Sequence, residues 1–218
     1  MESDNSILKH MLESMEQSEN MTSKQLKIVE AAIELIAEKG YHATSTSEIA
    51  KRAGVAEGTI FRHYKTKKDL LVSIVIPGLT QISAPYYANQ FVEEVFEPSY
   101  ERFEDMLYNF IKNRLAFAQA NLPIIKILFQ ELAFHPEIQT AIQTIFTQKI
   151  YPAINRILDY FKSKGQIQNI PNESIVRMII PTILGLVLSR HLLQSSKDWD
   201  EEVEIKRTIS FIMKGIGK

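Results

Sequence analysis

The sequence predicts an all-α chain in two parts, a small N-terminal helix-turn-helix unit and a larger C-terminal helical unit. Three observations predict it. Apolar residues recur three and four apart along nearly the whole chain, as in Leu26, Val29, Ile33 and Ile36 and again in Phe103, Met106, Leu107, Phe110 and Ile111. That spacing lines one face of a helix with 3.6 residues per turn. Ser45 and Glu48 form an S-x-x-E capping box ahead of a short apolar pattern that stops at Gly54, and signals for strands are few.

The 218 residues allow one or two domains, and 45% hydrophobic against 23% charged residues is ordinary for a globular chain with a sizeable core. The absence of cysteine excludes disulfides, thiolate nucleophiles and cysteine-bound metals. The acidic start lacks the basic flank and apolar run of a signal peptide, so a cytoplasmic location is expected. A net charge of -1 conceals an uneven distribution. Residues 1–21 carry one Lys against five acids, residues 22–70 carry nine Lys or Arg against six acids, and the remainder balances fifteen against fifteen. Within the basic stretch Lys51, Arg52, Arg62, Lys65, Lys67 and Lys68 meet only Glu57 as an acidic neighbour before Asp69. Such a cluster is either a solvated face or the electrostatic footprint of nucleic-acid binding.

Taken in order, residues 1–21 form an extension in which Ile7, Leu8, Met11, Leu12 and Met15 fit a short amphipathic helix and a frayed segment equally well. The first firm helix follows the capping hydroxyl of Thr22 and stops at Gly40. Helix two begins near Thr46, where Ile49, Ala50 and Ala53 give it an apolar face, and Gly54 supplies the positive φ of a tight turn anchored by Val55. Helix three runs from about Glu57 to Tyr64. Ala56, Ile60 and one of Phe61 or Tyr64 point inward, which leaves Glu57, Gly58, Thr59, Arg62 and His63 outside.

An α-helix fits the major groove of duplex DNA and meets a distinct donor and acceptor pattern at each base pair there. Arg62 can form a fork to guanine, Thr59 can reach a phosphate or a thymine methyl, and Gly58 lets the helix start approach closely. Ser45, Thr46 and Ser47 stand at the positive end of helix two, where N–H groups and hydroxyls can hold a phosphate. Lys65, Lys67 and Lys68 are further phosphate partners.

From Thr22 to about Val75 the sequence resembles the DNA-binding domain of the tetracycline-repressor (TetR) family of transcriptional regulators. The residues that carry the resemblance are Ala32 and Leu35, Gly40-Tyr41, Thr44-Ser45, Ile49-Ala50, Ala53-Gly54-Val55, Gly58-Thr59-Ile60-Phe61, His63-Tyr64, Lys67 and Leu70-Leu71. The resemblance implies a reader at residues 22–76 and an effector-binding and dimerisation part at 77–218. It makes Ser45, Thr46, Thr59, Phe61, His63, Tyr64 and Lys67 DNA-facing or phosphate-holding positions. Phe61 departs from the tyrosine common in the family and loses a hydroxyl that would bond to phosphate.

Beyond Leu70 the prolines Pro77 and Pro85 predict a helix ending near Ile76 followed by an irregular Tyr86-rich link. The stripe Phe103 to Phe117 predicts a long helix that also carries Arg114. A buried arginine needs a counter-charge, and an internal acid such as Glu131 is favoured over a bound anionic ligand. Pro123 opens the next helix, Pro136 another that closes at Gly165, and residues 172–194 are apolar almost all round, with Arg177, Pro181, Arg190 and His191 arguing for burial in protein over a membrane span. The final helix sets Ile205, Ile209, Ile212 and Ile216 on one face.

By the resemblance the larger part binds a small, mostly apolar effector, with Phe110, Ile111, Arg114, Phe129, Phe134, Phe146 and Ile150 as candidate contacts. The last two helices form a homodimer interface with Ile180, Leu184, Val187, Leu188, His191, Ile205, Ile209 and Ile212 as its candidates. Such a dimer binds double-stranded operator DNA of pseudo-palindromic sequence, usually as a repressor. Catalytic residues, metal ligands and cofactors are not expected. His10, His42, His63, His135 and His191 lack metal-site spacing, and no glycine-rich phosphate loop or nucleophile elbow is present. The competing reading is a protein-interaction adaptor of the same fold that no longer binds DNA.

Overall fold

The computed structural model describes residues 7–17, 21–193 and 199–217, so the ends of the extension at 1–6 and 18–20 lie outside the described residues. The chain divides into two compact units, Met1–Tyr87 with Ala120–Ile145 and Ala88–Gln119 with Phe146–Lys218. Among the described residues everything regular is helical, apart from one isolated antiparallel bridge between Ile167 and Gly217.

In the first unit α2 (Ser23–Lys39) is the central element. Thr22 caps it: the hydroxyl accepts from the Gln25 N–H and the Gln25 side chain reaches back to the Thr22 N–H, which satisfies two of the free donors of the helix start. Its inner face buries Ile28, Val29, Ala32, Ile33 and Ile36 against α3 (Thr46–Ala53) on one side and α8 (Leu122–Glu131) on another. The extension is an ordered helix, α1 (Ile7–Gln17), which buries Ile7, Met11 and Met15. The Ile7 N–H donates to the buried Asn121 Oδ1 at 2.6 Å, and His10 stacks on Tyr86 with ring centroids 4.3 Å apart. The amphipathic reading of this stretch is therefore the correct one for residues 7–17.

After α4 (Glu57–His63), a helical path begins at α5 (Lys67–Leu70) and runs without a break to the end of α6 (Ala84–Val95). The helix end near Ile76 and the irregular link do not occur. Two π-helical segments, Leu71–Val75 and Gly78–Ser83, each end two residues before a proline, Pro77 and Pro85. A wider turn relieves the clash between a proline ring and the carbonyl four residues back and has no fixed need for the missing N–H. A third such segment, Phe146–Ile150, precedes Pro152 and joins α9 (Pro136–Ile145) to α10 (Tyr151–Ser163).

The second unit packs the body of α7 (Phe103–Ala120) with α10, α11 (Asn172–Leu188) and α12 (Glu201–Ile216). Phe103, Leu107, Ile111, Phe161, Ile175 and Ile205 are its fully buried centre, with the Phe103 and Phe161 rings 5.3 Å apart. Gly165, at φ +69, ends α10, and Asp200 caps α12 by accepting the Val203 N–H at 3.1 Å. The stretch 172–191 is long and apolar enough by composition to span a membrane, yet only 22% of it is buried within the chain. Burial inside its own unit does not account for it.

Candidate functional site

The candidate interface begins at the cap of α3. Ser45 Oγ accepts from the Glu48 N–H at 3.2 Å, while the Glu48 carboxylate accepts from the Ser45 N–H at 3.0 Å and its hydroxyl at 2.8 Å. Lys39 pairs with the same carboxylate. The Lys39 ammonium first, and Ser45 second, hold the Glu48 carboxyl down to about 2, far below the usual range. Gly54 ends α3 in the left-handed region at φ +68, and the Val55 N–H closes the turn on the Ala50 carbonyl at 3.0 Å. Thr46 Oγ1 donates to Glu57 Oε1 at 2.7 Å and so ties the start of α3 to the start of α4.

Ile49 and Ile60, both fully buried, lock the two helices together and fix which side of α4 faces outward. That side presents Glu57, Gly58, Phe61, Arg62 and His63, with Thr59 half-buried beside them. Phe61 is 48% exposed, unusual for an aromatic ring on a short helix. Among the described residues nothing beyond its chain neighbours and its own helix backbone lies within 4 Å of the place a Gly58 Cβ would occupy, so packing there gives no reason for a glycine. Ser45, Ser47 and Lys65 are exposed and Thr46 is half-buried.

Two of the expected DNA-facing residues stand elsewhere. Tyr64 is buried at the end of α4, and desolvation raises its hydroxyl above the ordinary value. It is the ring that completes the core where the sequence left Phe61 and Tyr64 as alternatives. Lys67 points back into the fold: its ammonium donates to the carbonyls of Tyr41 at 2.5 Å and Thr44 at 2.6 Å and lies 4.2 Å from the Tyr41 ring centre. Burial lowers its pKa. Lys67 thus fastens the turn that leads into α3. Arg52 also leaves the basic cluster, bonding Glu34 at 2.9 Å and Glu38 at 3.1 Å on α2; the spacing of those two acids, four apart on one helix face, is the sequence signal for this pairing. Lys51, Arg62, Lys65 and Lys68 remain as exposed cations, and among the described residues Arg62 has no ion pair.

The seven candidate ligand contacts are divided between the two units. Phe110 and Ile111 are buried in the second unit, with Phe146 and Ile150 half-buried in the same unit. Phe129 and Phe134 belong to the first unit and are exposed, Phe134 by 72%. Periodicity marked these rings as apolar but carries no information on which helices meet. A small apolar cavity of about 20 Å³ lies in the second unit, walled by Phe110 together with Phe96, Phe103, Met106, Ile154 and Ile179 among others; apart from Phe110, its walls look in sequence like any core position. Glu131, the acid expected to face Arg114, is buried beside His135, Nε2 to Oε2 at 3.3 Å. Arg114 instead bonds the neutral Asn113 Oδ1 from Nε at 3.0 Å and from Nη2 at 2.5 Å. It lies 3.8 Å from the Phe91 ring centre and 4.5 Å from that of Phe117.

Of the candidate interface residues, Leu184 is exposed, Ile180, Leu188, His191 and Ile209 are half-buried, and Val187, Ile205 and Ile212 are buried within their own unit. The outward stripe of α11 carries Arg177, Met178, Pro181, Leu184 and Gly185, of which Leu184 alone is among the candidates, and α12 adds Val203 and Phe211, the latter 68% exposed. Val187, Ile205 and Ile212 face the core of their own unit instead.

A capped helix, a left-handed glycine turn and a second helix with an exposed polar and aromatic face define a helix-turn-helix DNA-binding unit. Residues 28–74 match the family model of bacterial regulatory proteins, tetR family. The fatty acid metabolism regulator protein of Bacillus subtilis is 53% identical over 51 residues, a match that spans 23% of this chain and 26% of that protein. Two solved structures share the fold over most of the chain. The regulator FadR of B. subtilis in complex with stearoyl-CoA has a TM-score of 0.60 at 23% identity, covering 87% of this chain and 98% of that one. A transcriptional regulator of Saccharomonospora viridis in complex with choline has a TM-score of 0.65 at 19% identity, covering 89% and 97%. Residues 28–74 are thus a DNA-binding domain of the TetR family of bacterial regulatory proteins. Regulators of this family are not enzymes.

Proposed function

We propose that the chain is a homodimeric repressor that binds a pseudo-palindromic operator through α4 and leaves it when a small effector binds the larger part. Residues 22–76 act as the reader, and residues 77–218 bind the effector and form the dimer, with the work done in the cytoplasm, where bacterial DNA lies. The observation that carries the reading is the outer face of α4. Arg62 there has no ion pair among the described residues, and Gly58 sits at an open helix start although glycine is a poorer helix former than alanine. Both choices make sense against an external surface that needs a donor fork and a close approach. Ser45 and Ser47, with Lys51, Lys65 and Lys68, suit the flanking phosphates.

Homodimerisation is supported by the outward stripe of Met178, Pro181, Leu184 and Gly185 with Val203 and Phe211, since an apolar face of this extent on a soluble chain needs cover. Arg177 on the same stripe suits another protein surface better than lipid. Selection of bound fragments from the source genome tests the reading. The expected product is a set of sites with two-fold symmetry and half-sites about one helical turn apart or slightly more. In the same assay Arg62→Ala relaxes the preference at one base position per half-site, at a cost of about 1–3 kcal/mol. Unselective or absent binding by the unaltered protein refutes it.

A further inference from the structure

We propose that the effector is an amphipathic oxyanion, its carboxylate or phosphate head held by Arg114 and its apolar chain entering the core past Phe91. The proposal rests on the effector reading above and adds the charge of the ligand to it. The fold does not decide that charge, because solved proteins of the same fold hold stearoyl-CoA in one case and choline in the other, an anion and a cation.

Arg114 decides it for this chain. Its part-buried guanidinium lies against two aromatic rings, and its only hydrogen-bond acceptor among the described residues is the uncharged Asn113 amide. Asn113 in turn donates to Glu94 Oε2 at 2.6 Å, so the carboxylate that acts on Arg114 stands one amide away, on an exposed side chain. Desolvation pushes the Arg114 pKa down to about 10, a sign that the charge is poorly compensated where it sits. Ring faces attract a cation but cannot accept its in-plane N–H groups. The Nη1 edge therefore has no acceptor among the described residues, and a planar fork of this kind matches an oxyanion with two parallel bonds.

Geometry supplies the apolar half of the site. The Phe91 ring, on which Arg114 rests, is 5.2 Å from Phe96 and 5.3 Å from Phe110, and both of these line the apolar cavity of about 20 Å³. Phe110 and Arg114 lie one turn apart on α7. A cation at one end and a purely apolar space at the other, joined by aromatic rings, is the arrangement an anion with an alkyl chain requires. The cavity holds little more than one water as it stands, so the chain of the ligand must part the walls as it enters.

Calorimetric titration of the full chain with decanoate, decyl phosphate, decanol and decyltrimethylammonium tests the proposal. The expected result is that decanoate or decyl phosphate binds at least about tenfold more tightly than decanol, the ammonium probe binding weakest; the better of the two anions identifies the head group. In Arg114→Met, which keeps the volume and removes the charge, the preference for anion over alcohol falls to about onefold while decanol binding persists. Arg114→Gln serves if the methionine variant does not fold. Equal affinity for anion and alcohol, no binding of any probe, or an unchanged preference in the variants overturns the proposal. Binding of the unliganded protein to its selected DNA fragments is scored separately. Its loss with the anion preference intact sinks the reader, and the reverse sinks the Arg114 site.

Discussion

Gly78 lies in the π-helical segment Gly78–Ser83 under α1, and a Cβ placed there would come within 2.5 Å of Met11 Sδ and 2.9 Å of Met11 Cγ, with Met15 Cε closer still. Ordinary carbon contacts are about 3.5–4.0 Å. Met11 is completely buried, so Gly78→Ala forces the two methionine side chains, or α1 that carries them, to shift. Overpacking of this kind costs about 1–3 kcal/mol, while the same change at a free helical position gains about 1 kcal/mol from helix propensity and a stiffer unfolded chain. The net expectation is a loss of up to about 2 kcal/mol, read as a lower urea midpoint. In a background carrying Met11→Ala and Met15→Ala the obstruction is gone and the sign reverses, so that Gly78→Ala stabilises by about 1 kcal/mol. The coupling of about 1–3 kcal/mol is outside the roughly 0.5 kcal/mol within which independent sites add. Equal shifts in both backgrounds would refute the idea that α1 is seated on Gly78.

Lys67→Met removes a charged donor from two carbonyls and loosens the Tyr41–Thr44 turn, lowering stability by about 1–3 kcal/mol and weakening binding to all DNA sequences alike; an unchanged unfolding midpoint with impaired DNA binding would assign Lys67 to phosphate alone. Glu48→Gln keeps the cap but loses the charge that faces Lys39. Because the folded Glu48 pKa is about 2 against an ordinary 4.5, the advantage of the unaltered protein over the variant is complete above about pH 4.5 and disappears as pH falls through about 2, which urea midpoints across that window will show. Phe211→Glu places a charge on the outward stripe and is expected to halve the mass measured by sedimentation; a dimer that survives it, and a further Leu184→Glu, joins through another face.

Much of the reader was legible in the sequence because its signals are local. The Ser45-Glu48 box, the glycine at 54 that alone tolerates the left-handed turn, and the buried spacing of Ile49 and Ile60 each depend on residues within one turn of each other. The same locality explains what the sequence conceals. Pro77 and Pro85 read as helix breaks because a proline is costly in a regular α-helix, whereas a wider turn just before each one is a response of the backbone that composition does not announce. Lys67 and Arg52 counted as free positive charges because their partners, Tyr41 and Thr44 in one case and Glu34 and Glu38 in the other, are brought to them by the packing of α2, α3 and α5.

By itself, then, the sequence determined the helical class, the position and caps of the reading helices, and the absence of thiol chemistry, all of which follow from short-range backbone geometry and residue type. Only the tertiary structure decided how many cations of the basic cluster are free, which aromatic rings share a cavity, which side of α11 and α12 is left uncovered, and that Arg114 rests on Phe91 and Phe117 while Glu131 goes to His135. Those outcomes depend on which helix faces meet across long stretches of chain. A helical repeat marks a face as apolar or charged, but the partner of that face is set by the packing of the whole unit.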